Sequence, residues 1–303
     1  MNEKTEKRFL KASNFEGYLE EVTCPICSPP PDPIKIYETT DGIGIWECPD
    51  CSILYASPRF DEPSLHKIYD NEFFFDKSKF DNWTIDKWKN SGGRDYIVPH
   101  LKVNLVKQFI NDQSRVLDVG CSTGEFCLAA NMNGLNCEGI DVSKMLSDIA
   151  RDVLKLPIHH KKLEDFYPET PYKAVVIWDV LEHLYDPIET LKACNRILEP
   201  GGYLFAQVPN LAGLSNRFKS IKCRSGIKDN NYGHFGFPWH LFSFNKRSLS
   251  KMMKTVDFQP LHFESWSHLY KDGHSGVCNN LMISTIKKYC LSDYIIIVAQ
   301  KIK

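Results

Sequence analysis

The segment from Val116 to Phe126 combines an acidic residue and two glycines in a spacing suited to a nucleotide cofactor. Apolar residues flank Asp118, Gly120 follows two positions later, and Gly124 comes four positions after that. This order predicts a buried strand, a tight turn and the start of a helix. Because glycine has no Cβ, the backbone there can pass close to a ligand. Ser122 stands where a G-x-G-x-G pattern has its middle glycine, so the glycines alone indicate only a general nucleotide cradle.

A second acidic residue ends the next strand-like segment, which runs from Cys137 to Ser143. Asp141 would then stand at the carboxyl end of its strand. A carboxylate in that position can accept two hydrogen bonds from a ribose diol. The sequence therefore predicts a cofactor with a free ribose, bound between Asp118 and Asp141.

Four cysteines near the start of the chain have the spacing of a metal site. They form two C-x-x-C pairs, Cys24 with Cys27 and Cys48 with Cys51. Two such turns predict a tetrahedral zinc site, and four sulfur ligands leave no open position, so the zinc would be structural. The intervening segment resembles the hairpin of a zinc ribbon, with a turn at Asp41-Gly42. Four thiols without metal, or a redox pair, are the alternatives.

Composition limits the classes of partner and compartment. The chain has 303 residues, a net charge of −1 and a pI near 6.8. Without a basic surplus, a nucleic-acid partner is disfavoured. The eleven cysteines, combined with an N-terminus that lacks an apolar export segment, lead us to expect a reducing, cytoplasmic compartment. No apolar run approaches the roughly 20 residues of a membrane span.

The elements that must position these residues alternate regularly along the chain. The predicted strands are 116–120, 137–141, 157–160, 173–179 and 202–208, and the predicted helices begin near 124 and span 143–154 and 187–198. Alternation at this spacing implies parallel strands with right-handed crossovers, and ligands bind beyond the carboxyl ends of such strands.

The preceding part of the chain has a different character. Residues 1–20 are polar and charged, and we expect a tail or a short helix there. Residues 59–113 have helical spacing of apolar groups. The predicted domains are therefore a tail and zinc ribbon at 1–58, a helical cap or linker at 59–113 and an α/β domain at 114–303.

Two further segments narrow the class of enzyme. Ala174 to Pro187 contains Trp-Asp-Val-Leu-Glu-His, and Arg196 to Asn210 contains Pro-Gly-Gly followed by an apolar strand. Together with the glycine turn and Asp141, these motifs resemble the class I S-adenosylmethionine-dependent methyltransferases over roughly residues 100–303. The resemblance implies a Rossmann-like seven-stranded sheet with an antiparallel last strand, preceded by a helical lid. A helix at 245–256 and strands near 259–265 and 293–301 would complete it.

The resemblance also implies which residues hold S-adenosylmethionine. The glycine turn would contact the methionine portion, Asp141 the ribose, and Leu163 the adenine ring, with Glu164 or Asp165 near its amino group. Asp165 could instead cap the following turn. The implied cofactor-binding residues are Asp118, Gly120, Cys121, Gly124, Asp141, Val142, Leu163, Glu164 and Asp179.

Histidines supply the candidates for catalysis, because an imidazole has the proton affinity of a base near neutral pH. His183 follows Glu182 after the fourth strand, where the family has its sulfonium end. The segment Asn231–Phe244 contains Trp-His-Leu-Phe-Ser-Phe. That pattern resembles the W-H-x-x-x-F segment of a subgroup that includes ubiquinone-type O-methyltransferases and zinc-ribbon sugar methyltransferases. In the sugar enzymes a nearby histidine is a base, whereas His240 could also simply hold the loop. The catalytic candidates are His240, His234, His183 and Tyr232.

These observations favour methylation of oxygen or carbon on a small-molecule acceptor. The pairing of a four-cysteine module with this core resembles sugar methyltransferases, which implies a sugar or glycan precursor. An RNA methyltransferase that grips its substrate with the ribbon is one alternative, although Lys35 is the only cation between Cys24 and Cys51. A non-catalytic scaffold that retains the fold is another.

Overall fold

The elements of the fold follow the predicted alternation closely. The computed structural model describes residues 8–12, 15–39, 41–69, 84–90, 94–225, 235–266 and 290–302. Its strands are β1 (Arg8–Ala12), β2 (Phe15–Glu20), β3 (Ile34–Glu38), β4 (Gly44–Glu47), β5 (Leu54–Ser57), β6 (Arg59–Phe60), β7 (Arg115–Val119), β8 (Asn136–Asp141), β9 (Ile158–His160), β10 (Tyr172–Trp178), β11 (Leu198–Pro209), β12 (Phe242–Ser243), β13 (Phe258–Trp266) and β14 (Tyr294–Lys301). Its α-helices are α1 (Glu62–Tyr69), α2 (Ile85–Asn90), α3 (Arg94–Val106), α4 (Glu125–Met132), α5 (Lys144–Leu154), α6 (Pro187–Ile197), α7 (Leu214–Arg224) and α8 (Lys246–Thr255).

A seven-stranded sheet forms the centre of the α/β part. The strand order is β13-β14-β11-β10-β7-β8-β9. The pairs from β11 to β9 are parallel, while β14 is antiparallel to both β11 and β13. This confirms the predicted sheet, including the antiparallel last strand. The carboxyl ends of β7, β8 and β10 meet at one edge because these strands are neighbours and parallel.

Both faces of the central strands are buried, as expected where helices cover a parallel sheet on each side. Leu117 and Val175 contribute to the apolar cluster on one face. Val116 and Val176 contribute to the cluster on the other. This alternation follows from the period of two in a strand, and it makes the sheet a rigid base for the loops at its edge.

The cysteine-bearing segment forms a second sheet with the order β12-β5-β4-β3. A tight turn joins β3 to β4, with the Gly42 amide donating to the Thr39 carbonyl at 3.0 Å and Gly42 at φ 75. The predicted hairpin turn at Asp41-Gly42 is therefore confirmed. The fourth strand, β12, comes from far along the chain, so this sheet is continuous with the segment that contains His240.

The N-terminal region differs from the predicted tail or short helix. β1 and β2 pair as an antiparallel hairpin, and β2 pairs in turn with β6. Gly17 and Leu19 face inward while Glu16 and Tyr18 are exposed, which is the alternation of a half-buried strand. A Cβ on Gly17 would lie 2.5 Å from the Ser64 Cβ, so glycine permits this close packing against α1.

The helices α1, α2 and α3 occupy much of the predicted helical cap, although β6 precedes them. Pro99 lies inside α3. The side chains of Val103 and Val106 are fully buried against the α/β domain. Among the described helices, none combines the length and apolar character needed to span a membrane.

Candidate active site

The turn after β7 depends on its two glycines for conformation and for packing. Gly120 and Gly124 have φ angles of 70 and 86, in the left-handed region that favours glycine. A Cβ on Gly120 would lie 2.5 Å from Val180 Cγ2, and one on Gly124 would lie 2.7 Å from Leu156 Cδ1. The predicted reason for the glycines was close approach to a ligand. The structure adds that side chains of the protein itself fill the space beside them.

Asp141 links the loops that follow two adjacent strands. Its Oδ2 accepts a hydrogen bond from the Ser122 amide at 2.9 Å, and its Oδ1 accepts one from the Ser143 amide at 2.8 Å. Burial raises the pKa of this carboxyl, and the two amides oppose that rise. Each carboxylate oxygen has a second lone pair, so Asp141 can still accept hydrogen bonds from a ligand. The adjacent Val142 is 51% exposed and offers an apolar surface at the same edge.

Asp118 lies below the glycine turn and is 2% exposed. The Cys127 thiol donates to its Oδ2 at 3.7 Å. Burial raises the pKa of the Asp118 carboxyl to about 8, although the charge of Lys102 opposes the shift. The neighbouring Cys121 is buried against β8, where a Cβ on Gly139 would lie 2.5 Å from its sulfur. Contact of Asp118 and Cys121 with a cofactor remains a prediction.

Asp179 follows β10 with a φ of 59, an uncommon conformation for a residue other than glycine. The Gln207 amide donates to both carboxylate oxygens, at 2.9 and 2.7 Å. The ammonium of Lys102, on α3, lies 3.7 Å from Asp179 Oδ2 and 4.8 Å from the ring centre of Trp178. Lys102 thus places a positive charge near the carboxyl ends of β7 and β10.

Sequence reasoning identified neither Gln207 nor Lys102. Gln207 carried a signal, because it is a polar side chain within an apolar strand. Lys102 carried none, since lysines are common on the exposed faces of helices.

The predicted adenine contacts lie on the turn after β9. Residue Asp141 pairs with His160 across the strands, so this turn lies beside the end of β8. The Leu163 side chain is buried, and Asp165 is exposed. The Glu164 carboxylate accepts a hydrogen bond from the Thr190 hydroxyl. To contact adenine, it would have to accept a hydrogen bond from the adenine amino group as well.

Glu182, His183 and His240 meet beside this edge, although His240 comes from a segment distant from the consecutive residues Glu182 and His183. The rings of His183 and His240 have centres 4.8 Å apart and meet edge to face. His183 Nδ1 donates to the Trp239 carbonyl at 2.8 Å, and its Nε2 lies 3.9 Å from Glu182 Oε1. The other two predicted catalytic residues, Tyr232 and His234, lie outside the described residues.

Burial affects the protonation of this group of side chains. It lowers the pKa of His183 to about 4, with the nearby charge of His240 acting in the same direction. His183 is therefore neutral at neutral pH and a weaker base than an ordinary imidazole. Burial also raises the pKa of Glu182 well above its usual range, and the charge of Asp179 adds to this rise.

The four N-terminal cysteines come together as predicted. Their sulfurs all lie within 4.8 Å of one another, with Cys24 and Cys51 at 3.5 Å and Cys27 and Cys48 at 3.6 Å. A tetrahedral zinc with bonds of about 2.3 Å separates its sulfurs by about 3.8 Å. The cluster therefore fits a structural zinc ion. The ammonium of Lys251, on α8, lies 3.2 Å from the Cys27 sulfur.

The ribbon is joined by its backbone to the segment that contains His240. β12 pairs with β5, and the Ala56 amide donates to the Leu241 carbonyl at 3.1 Å. The Leu241 amide in turn donates to the Glu182 carbonyl at 2.8 Å. A single residue next to His240 therefore connects the ribbon to the end of β10.

Comparison with known proteins gives the family. A family described as a methyltransferase domain matches residues 94–262, more than half of the chain. The chain belongs to this methyltransferase family. The strand order and the antiparallel last strand of the methyltransferase are those of the class I fold, which supports S-adenosylmethionine as its cofactor.

Relatives with assigned activities match part of the chain. The ubiquinone biosynthesis O-methyltransferase of Aromatoleum aromaticum is 33% identical over 103 residues, which cover 32% of this chain and 44% of the relative. The enzyme of the same name from Xylella fastidiosa strain M23 is 28% identical over 142 residues, covering 44% of this chain and 58% of the relative. The methyltransferase thus spans about half the length of these curated relatives.

Solved structures agree on the fold. A SAM-dependent methyltransferase from Archaeoglobus fulgidus superimposes with a TM-score of 0.50 at 18% identity, and the match covers 76% of this chain and 100% of that chain. A second match is a chain from the structure described as a complex between the Haloferax volcanii Trm112 methyltransferase activator and the putative methyltransferase. It superimposes with a TM-score of 0.50 at 16% identity, and the match covers 74% of this chain and 97% of that chain.

Proposed function

We propose that this protein transfers the methyl group of S-adenosylmethionine to an oxygen of a small-molecule acceptor. The observation that carries the proposal is the placement of Asp141, which joins the loops after β7 and β8 and keeps lone pairs for a ligand. The choice of oxygen is supported by the matched relatives, which are named O-methyltransferases. A sugar or glycan precursor is the acceptor class that the ribbon-bearing architecture favours.

The cofactor would lie along the carboxyl edge of the sheet. Asp141 would accept from the ribose hydroxyls, and the exposed Val142 side chain would cover one face of the adenine. Leu163, on the neighbouring turn, would provide apolar contact on the other side of the ring. The glycine turn would follow the methionine portion, with Asp118 below it and Asp179 towards the sulfonium. Zinc in the cysteine cluster would be structural, because four thiolates leave it no position for a substrate.

The acceptor would approach from the side of Glu182, His183 and His240. Methyl transfer from a sulfonium is an in-line displacement that depends chiefly on positioning of the two reactants. The acceptor hydroxyl must also lose its proton, and in this proposal His183 and His240 would promote that loss. The ribbon would fix the His240 segment through β12, while helices α1 to α3 of the proposed cap at 59–113 would cover the cofactor. The three parts with these roles would be the domains predicted from the sequence: the ribbon at 1–58, the cap at 59–113 and the methyltransferase domain at 114–303.

A binding measurement and a product assay test the proposal in turn. Isothermal titration with S-adenosylhomocysteine should detect saturable binding to the purified protein. Incubation with labelled S-adenosylmethionine and fractionated cell extract should then transfer label to a small molecule that mass spectrometry identifies as a methyl ether. Label that appears only in RNA would overturn the acceptor class. A protein that binds no S-adenosylhomocysteine would instead be a scaffold.

A further inference from the structure

Three side chains that can each bind a metal converge at the acceptor end of the site. Glu182, His183 and His240 offer one ligand atom each, and these atoms lie within 4.8 Å of one another. They form the second such group among the described residues, besides the cysteine cluster. Where the cysteine cluster offers four sulfurs, this group offers two nitrogens and one oxygen: Glu182 and His183 follow β10, and His240 lies just before β12.

The carboxylate of this group needs a partner. Glu182 is only 1% exposed, and its Oε2 is buried without a hydrogen-bond partner in the described part of the chain. A buried polar atom left unsatisfied typically costs about 1–3 kcal/mol. A ligand that binds Oε2 would remove that cost, and the neighbouring imidazoles indicate what kind of ligand it is.

The orientation of His183 is that of a metal ligand. Its Nδ1 donates to the Trp239 carbonyl at 2.8 Å, so Nε2 carries the lone pair. Nε2 lies 3.9 Å from Glu182 Oε1, too far for a direct hydrogen bond but suited to two ligands of one ion. Metal-bound histidines characteristically donate their other ring N–H to a carbonyl or carboxylate in this way.

We propose that Glu182, His183 and His240 bind a divalent first-row transition-metal ion at the acceptor end of the active site. Two imidazoles and one carboxylate suit ions such as Mn²⁺, Fe²⁺ or Zn²⁺ and leave coordination positions open on one side. This site differs from the cysteine cluster, in which four thiolates close the coordination sphere.

The chemical role of the ion, though not its binding, rests on the proposed function. An acceptor hydroxyl that occupies an open position would have its pKa lowered by the ion and release its proton to solvent. The resulting oxygen anion attacks the methyl carbon and forms the new C–O bond. The C–S bond breaks, and its electron pair converts the sulfonium to a neutral thioether. The proposed substrate class is therefore an acceptor with a hydroxyl able to bind a metal, such as one of two neighbouring oxygens.

Binding of Mn²⁺, followed by electron paramagnetic resonance, tests the site directly. Mn²⁺ prefers oxygen and nitrogen ligands to thiolates, so zinc in the ribbon stays in place during the titration. The wild-type protein should bind about one Mn²⁺ per chain, since the three ligands form one site. Both Glu182→Gln and His240→Asn should weaken binding at least about tenfold, by analogy with the losses seen on removing supporting groups of metal sites. His159→Asn is the matched control, because His159 lies 3.0 Å from Glu138 at a different place on the sheet.

The possible results separate the two proposals. Mn²⁺ affinity that is absent in the wild type, or the same in the wild type and both variants, would overturn the metal site. If Glu182→Gln fails to fold by circular dichroism, His240→Asn gives the decision. S-Adenosylhomocysteine titration is run on the same samples. Mn²⁺ binding without S-adenosylhomocysteine binding would uphold the metal site and overturn the methyltransferase proposal, whereas the reverse result would overturn only the metal site.

Discussion

Replacement of Asp141 by alanine removes a carboxylate that has two separable tasks. In the structure, its oxygens accept hydrogen bonds from the Ser122 and Ser143 amides. Loss of each bond should reduce the free energy of unfolding by about 1 kcal/mol, or about 2 kcal/mol together. In the proposed complex the same carboxylate accepts from the ribose hydroxyls. Loss of those bonds should weaken cofactor binding by about 1–3 kcal/mol, which corresponds to about 5- to 150-fold in Kd.

A second variant separates charge from shape. Asp141→Asn keeps one oxygen that can accept from one amide, but its NH₂ group must then face the other N–H. It should therefore lose about half of the stability that alanine loses, or slightly more, while binding the cofactor nearly as weakly. Asp152→Ala is the matched control, because Asp152 is an exposed carboxylate on the neighbouring helix α5.

The assay is isothermal titration with S-adenosylhomocysteine, together with urea unfolding of each variant. The titrations are run at a temperature at which every variant is folded, so that the change in Kd is not a consequence of unfolding. If Asp141→Ala binds S-adenosylhomocysteine within about twofold of the wild type, below the smallest loss expected for a hydrogen bond, the ribose assignment is wrong.

Three further predictions concern the turn, the ribbon and the buried carboxyl. Gly124→Ala should lower the free energy of unfolding by about 2–4 kcal/mol through strain at positive φ and a clash with Leu156. Gly201→Ala, where a Cβ meets nothing closer than 3.7 Å, should lose about 1 kcal/mol, and equal losses in urea melts would contradict the clash. Chelation or Cys48→Ser should unfold the ribbon and reduce the thermal midpoint, whereas metal analysis that finds well below about one zinc per chain would oppose a zinc role. Asp118 has a pKa of about 8 in the folded protein and about 3.9 when unfolded, so the folded state holds the extra proton between these values. Stability should fall by up to about 1.4 kcal/mol per pH unit across that window, and urea melts of Asp118→Asn at several pH values should have a smaller slope.

Much of the sheet was predictable because its signals are local. Apolar strands and helical spacing placed the elements from 116 to 209 close to their observed bounds. The direction of the last strand could not be predicted from local signals, since the apolar pattern of Tyr294–Lys301 fits a parallel and an antiparallel strand equally well. Only the family resemblance supplied it, and the pairing of β14 with β11 and β13 confirms it.

The N-terminal strands were missed because the strand that completes their sheet, β6, is distant in sequence. The segment Phe15–Glu20 is short, its apolar residues are unevenly spaced, and it pairs both with β1 and with Arg59–Phe60. Leu19 is buried and lies opposite Phe60 in the pairing of β2 with β6. Local periodicity over six residues could not distinguish this arrangement from an exposed tail.

Candidate side chains were predictable by type, but their contacts were not. The sequence identified His183 and His240 as separate possibilities, each with a structural alternative. Their rings meet because the backbone of Leu241 pairs with Glu182, a contact that no spacing rule contains. The same holds for Lys102, which reaches Asp179 only because α3 packs over the end of the sheet.

The position of Leu241 also indicates that the zinc ribbon helps to position the acceptor end of the site, although the ribbon has no catalytic role of its own. On one side, the Leu241 carbonyl accepts from β5 of the ribbon, and on the other its amide donates to the Glu182 carbonyl. Cys48 and Cys51 lie in the turn that joins β4 to β5, and Cys24 and Cys27 lie before β3. A metal bound by all four would therefore fix β5, the strand against which β12 lies. His240 lies two residues before β12 and next to Leu241, and is therefore restrained relative to Glu182 and His183. A ribbon whose four cysteines fill the coordination sphere of its metal can thus order the acceptor end through backbone hydrogen bonds alone. It does not need to supply a catalytic group or to contact the substrate.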